Sequence, residues 1–166
     1  MLSLGEIVSV AAMVCGFLLQ NYSEWRAGGP RYPETGGARR LLPPAGDCTR
    51  LLAVILVSAI VIFICLLSVA LDAAWLVVAV AAALIVNAIA QLVGSFFTKS
   101  LLPGTLAGLI FMMPPSLWVI KTLGDGTGWL PIAIGPLLSV PLLVGIWWLA
   151  AFASHRIISK THRNRL

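Results

Sequence analysis

Five stretches of about twenty mostly apolar residues run through this 166-residue chain, and they fix its environment before anything else. A bilayer core about 30 Å thick takes roughly 20 apolar residues of helix to cross. In hydrocarbon the backbone polar groups must be satisfied inside helices or closed barrels. The runs are read as helices over about 3–23, 51–71, 73–98, 101–120 and 129–154. The expected fold class is all-α, a polytopic membrane bundle of five transmembrane helices. It forms a single membrane domain over 1–166, with a polar loop at 25–49 and a basic tail at 155–166. Sixty per cent of the residues are apolar and 10% are charged, where soluble chains carry roughly a quarter charged.

The first run reads as an uncleaved helix. Met1 to Glu6 has no basic residue, no small-x-small cleavage site follows the run, and Val14 before Cys15 fits a lipidation box poorly. Cys15, Cys48 and Cys65 show neither pairing nor zinc spacing, and they read as free thiols.

The net charge of +5 does not point to nucleic acid, because the basic residues flank the apolar runs, where they set topology. With five helices, one side collects Arg26, Arg31, Arg39, Arg40, Arg50, Lys99, Arg156, Lys160, Arg163 and Arg165. The other side holds Lys121 alone. The positive-inside rule then predicts the N-terminus outside and the C-terminus in the cytoplasm, and the plasma membrane is the expected location. Arg156, Lys160, Arg163 and Arg165 are expected to meet anionic lipid headgroups, at roughly 1 kcal/mol per basic residue.

Prolines interrupt the later helices. Pro103 suits a first turn, where its missing N–H costs little. Pro114-Pro115 and, further on, Pro136 and Pro141 fall inside membrane runs, so other groups must take up the freed carbonyls. Gly104 and Gly108 form a small-xxx-small pair suited to close packing within the bundle.

The informative polar residues lie inside the first and third runs. Asn87, Gln91, Gly94, Ser95 and Thr98 fall on one face of a helix, and so do Ser9, Ala12, Gly16, Gln20 and Ser23. Two such stripes are expected to pack together. At 1.5 Å per residue, Gln91 lies roughly 12 Å and Asn87 roughly 18 Å inside Lys99. Gln20 sits one turn inside Glu24. A polar pocket between helices 1 and 3, open to the cytoplasm, is the expectation. Glu24 is its candidate acid/base, and Gln20, Asn21, Asn87, Gln91 and Ser95 are substrate or helix–helix polar contacts.

The layout of Gln20-Asn21-Tyr22-Ser23-Glu24 at the end of helix 1 resembles that of small membrane proteins with an HXXEE domain. There the first helix ends in a His, two variable residues and two Glu. A later helix carries Asn and, four residues on, His, and a Pro-Gly opens the next. Asn87, Gln91 and Pro103-Gly104 correspond here, and the resemblance spans roughly 10–120. Gln20 and Gln91 stand at the two His positions, and Ser23 at the first Glu. Two His with two Glu would suit a metal or proton transfer. Two Gln and one Glu make no transition-metal site, and Gln cannot titrate. No metal and no cofactor are expected.

Two functions remain. The first is a binding, scaffold or accessory membrane subunit, partnered by membrane lipids and by a further subunit or a second copy. The alternative is a membrane-embedded isomerase, cyclase or hydrolase acting on a lipid or isoprenoid-like substrate through Glu24. Beyond these, a secondary transporter is disfavoured, because the five helices carry no inverted repeat, while a multimeric pore stays open.

Overall fold

The structure is a computed structural model that describes residues 3–28 and 46–163, with side chains for 3–28 and 46–156. Most of the loop expected at 25–49, with Arg31, Arg39 and Arg40, lies outside the described residues, and so does Arg165.

The described residues form five long helices: α1 (Leu4–Arg26), α2 (Asp47–Ala70), α3 (Ala74–Thr98), α4 (Thr105–Leu123) and α5 (Leu130–Arg163). Each contains a stretch long and apolar enough to cross a membrane. The protein is an all-α multi-pass membrane bundle.

Local chemistry sets the ends. At the start of α1, Ser3 N–H donates to Glu6 Oε2 at 2.6 Å and Glu6 N–H donates to Ser3 Oγ at 3.3 Å, a reciprocal capping box. α1 runs past the expected 23 to Arg26, with Ser23 inside the helix and its Oγ bonded back to the Gln20 carbonyl at 2.7 Å. α2 begins upstream of 51, with Asp47 in its first turn, where a carboxylate complements the helix dipole.

α2 and α3 form a hairpin with almost no loop. Asp72 takes φ 52, a left-handed conformation that Asp tolerates. Buried Ser68 clamps the turn, its hydroxyl donating to the Ala73 carbonyl at 2.8 Å while Ala73 N–H returns to Ser68 O at 2.9 Å.

α4 begins at Thr105, later than the expected 101. Pro103-Gly104 makes a turn first, with Gly104 at φ 86. After one α-turn, Gly108–Met112 widens into a π-helix before α geometry resumes at Met113. The cause lies just downstream. Pro114 and Pro115 lack the N–H groups that the Ile110 and Phe111 carbonyls would meet in α register, and the wide turn falls on those carbonyls. α5 carries Pro136 and Pro141 within an unbroken helix and extends to Arg163, past the expected 154.

α3 lies at the centre and touches all four other helices. α1 packs mainly on α4, and α5 packs on α3 and α2. α1 and α3 meet only over a short stretch. The expected stripe-to-stripe packing of helices 1 and 3 is therefore corrected: α4 lies along the small face of α1. Gly16 explains why. A Cβ there would sit 2.1 Å from the Phe111 carbonyl oxygen, so only glycine lets α1 rest against the π segment. Met13, Phe17, Val78, Ala81, Ala88, Met112 and Val119 fill the main core around this contact. A smaller cluster of Ala53, Ile146 and Ala150 joins α2 to α5. Large apolar side chains such as Phe96, Phe97 and Leu137 point outward, as a surface facing lipid requires.

Candidate functional site

The last turn of α1 meets α3 and the start of α4 around one carboxylate. Gln20 lies one turn before Glu24, so both project from one side of α1. Gln20 Nε2 donates to Glu24 Oε1 at 3.1 Å, and Gln91 Nε2, from α3, donates to the same oxygen. The third wall is glycine backbone. A Cβ on Gly104 would lie 2.6 Å from Glu24 Cγ and 2.8 Å from its Oε1. A Cβ on Gly108 would lie 3.3 Å from Gln20 Oε1. The turn made by Pro103-Gly104 and the first residues of α4 is thus shaped to close over the two α1 side chains.

Gln20 is 0% exposed, while Glu24 and Gln91 are half-buried. Gln20 Oε1 and Gln91 Oε1 are both buried without a hydrogen-bond partner among the described residues. Among those residues Glu24 has only the two amides as polar partners; the ion pair nearby joins Arg50 to Asp47, at 3.8 Å. The cluster is rich in acceptor oxygens, and no cationic side chain among the described residues touches it.

The other residues singled out by the sequence serve different contacts. Asn21 turns away from Glu24 and donates to Ser58 Oγ of α2 at 3.0 Å. Ser95 is buried one turn beyond Gln91. Its hydroxyl donates to the Gln91 carbonyl at 2.8 Å, accepts from Leu102 N–H at 2.9 Å and pairs with Thr105 Oγ1 at 3.0 Å. It secures the α3–α4 turn that carries Gly104. Asn87 is half-buried and makes no hydrogen bond with the described residues. At the end of α5, Arg156 stacks over the Phe152 ring at 4.5 Å. Lys160 and Arg163 follow on the same helix, their side chains outside the described residues.

Two clefts open elsewhere. One, of about 330 Å³, is lined by Trp25, Arg26, Gly28, Asp47 and Arg50, just past Glu24 along the chain. The other, of about 480 Å³, lies at the opposite end between Asp72, Trp75, Thr127 and Pro131. Glu24, Gln20 and Gln91 line neither. Among the described residues no three His, Cys, Asp or Glu side chains gather as a metal site.

Sequence reasoning left out Ser58 and Thr105, each a lone hydroxyl in an apolar run. It noted Gly16, Gly104 and Gly108 as small residues, but their spacing alone did not say that they face Glu24, Gln20 and the proline-disturbed carbonyl.

No curated protein and no solved structure matches the chain. A protein-family model described as "Protein of unknown function with HXXEE motif" matches residues 5–119, more than half of the chain and every residue of the Glu24 cluster. The chain belongs to the HXXEE family.

Proposed function

We propose that this protein is a membrane-embedded binding or scaffold subunit whose working centre is the Glu24 cluster. A carboxylate shared by two amides from separate helices carries this reading. In a bilayer, polar side chains between helices either hold a bundle together or meet a ligand or partner, and such intramembrane ionisable groups are functional candidates by default. The buried, unpaired amide oxygens favour a site that meets something further. With ten of the eleven basic residues on its side by the sequence count, the cluster belongs to the cytoplasmic half of a plasma-membrane protein, with the C-terminus inside. The expected cytoplasm-facing pocket between helices 1 and 3 is read as the Glu24 cluster itself, with the Pro103-Gly104 turn packed against it. The partners are membrane lipids and a second subunit or copy, with the basic end of α5 at the headgroups.

An enzyme acting on a lipid-like substrate has less behind it. No second titratable side chain among the described residues touches Glu24, and acid/base chemistry usually needs one.

The test is purification in a gentle detergent of the full chain and of Glu24→Gln and Gln91→Leu. A lipid or subunit that accompanies the parent is expected to be lost from both variants at unchanged helix content. Retention by both variants would contradict the proposal.

A further inference from the structure

The deficits in the Glu24 cluster all have the same sign. One carboxylate is largely buried, two amide oxygens are buried and unpaired, and no Lys, Arg or His among the described residues reaches them. A carboxylate moved out of water needs a positive charge or several donors. Two amide N–H groups on one oxygen supply donors but no charge.

We propose that Gln20, Glu24 and Gln91 bind a small monovalent cation, an alkali-metal ion held by carboxylate and amide oxygens. The proposal rests on reading this cluster as the binding centre, and it names the ligand. Charge comes first: one carboxylate balances one positive charge, whereas a divalent ion is commonly held through further carboxylates. Ligand chemistry comes second. Carboxylate and carbonyl oxygens are hard donors, and the cluster holds no thiolate and no imidazole to select a transition metal.

Geometry comes third. Both amide nitrogens point at Glu24 Oε1. The last torsion of a glutamine is broad and roughly two-fold. A half-turn of each carboxamide turns its oxygen toward Glu24 in place of its nitrogen, and an outward shift of the three side chains would then let three oxygens surround one ion. A proton on Glu24 would remove the charge, yet its single O–H could meet only one of the acceptors. Size comes last. Gly104 and Gly108 bring backbone close enough that a single Cβ would collide or crowd, which suits a bare ion better than an ammonium headgroup.

The experiment is thermal unfolding of the full chain in detergent micelles at one ionic strength, in sodium, potassium or choline chloride. Sodium or potassium is expected to raise the midpoint over choline saturably, by about 4 °C, in keeping with ligand linkage for a chain of this size. Glu24→Gln is expected to abolish the rise. Gln91→Glu adds a second negative charge and is expected to create a stabilising response to calcium. Equal midpoints in the three salts overturn the proposal. So does a pH response that is the same in all three, which would mean that a proton alone is bound. Should Glu24→Gln fail to fold, the parent's salt comparison and the calcium response of Gln91→Glu decide the matter. The ion response is read on the protein alone, so its failure leaves the co-purification result standing, and the converse also holds.

Discussion

α1 and α5 cross the same bundle on opposite principles. In α1, 39% of the most apolar stretch is buried inside the protein, against 11% in α5. α1 presents Gly16, Gln20 and Glu24 to backbone and amides on α3 and α4. α5 presents mainly aliphatic and aromatic side chains outward, and it approaches α3 tightly at Gly135, where a Cβ would lie 2.0 Å from the Ala79 carbonyl oxygen. Lipid tails are as apolar as leucine, so apolar burial cannot drive helices together in a bilayer. Close backbone contact and polar bonds must do so, and they are concentrated where α1, α3 and α4 meet. On the α5 side, the described residues show the Gly135 contact with α3 and a Thr49–Ser154 hydroxyl pair with α2.

Substitutions can break this contrast. The largest effect is expected at Gly16→Val, whose Cβ would collide with the Phe111 carbonyl, a backbone group that cannot swing aside. A destabilisation above about 3 kcal/mol, read by unfolding in mixed micelles, is expected. Gly145→Ala in α5 is the matching control. Its Cβ would meet nothing within 4 Å, so the change is expected to be neutral or to stabilise by up to about 1 kcal/mol. Equal losses at the two glycines would erase the distinction.

Gln91→Leu ranks next. It removes one of the two donors on Glu24 and the only side-chain hydrogen bond between α1 and α3 among the described residues. About 1–2 kcal/mol is expected, within the range of interhelical polar bonds in bilayers. A smaller effect is expected at the α2–α5 contact, where Thr49 Oγ1 and Ser154 Oγ are buried 2.7 Å apart. Thr49→Val should cost about 1 kcal/mol, because Ser154 keeps its bond to the Ala151 carbonyl. At the small end, Leu137→Ala faces outward at 73% exposure and should shift stability by less than about 0.5 kcal/mol.

The five membrane helices and the polar residues on α1 and α3 were legible because hydropathy and helical period are local properties. Counting from Lys99 puts Gln91 roughly 12 Å inside, and Gln20 lies one turn inside Glu24, so both amides are expected in one half of the bilayer; the structure brings both to one Glu24 oxygen. The neighbour relations were less legible. Nothing in a stripe of small residues says which helix will face it. Gly16 meets α4 because Pro114 and Pro115 disturb the hydrogen bonding one turn earlier, a coupling between distant segments. Asn21 looked equivalent to Gln20, but the 100° step between adjacent helical residues turned it to Ser58 on α2. Asn87 shared the Gln91 face and yet bonds to none of the described residues.

The central claim is that Glu24 and Gln91 act as one unit joining α1 to α3. The most direct measurement is a double-mutant cycle of Glu24→Ala and Gln91→Ala, read by unfolding in micelles. An interaction energy of about 0.5–2 kcal/mol is predicted, because removing either side chain breaks the bond between them, although Glu24 keeps Gln20. Additive losses, with an interaction energy near zero, would contradict it.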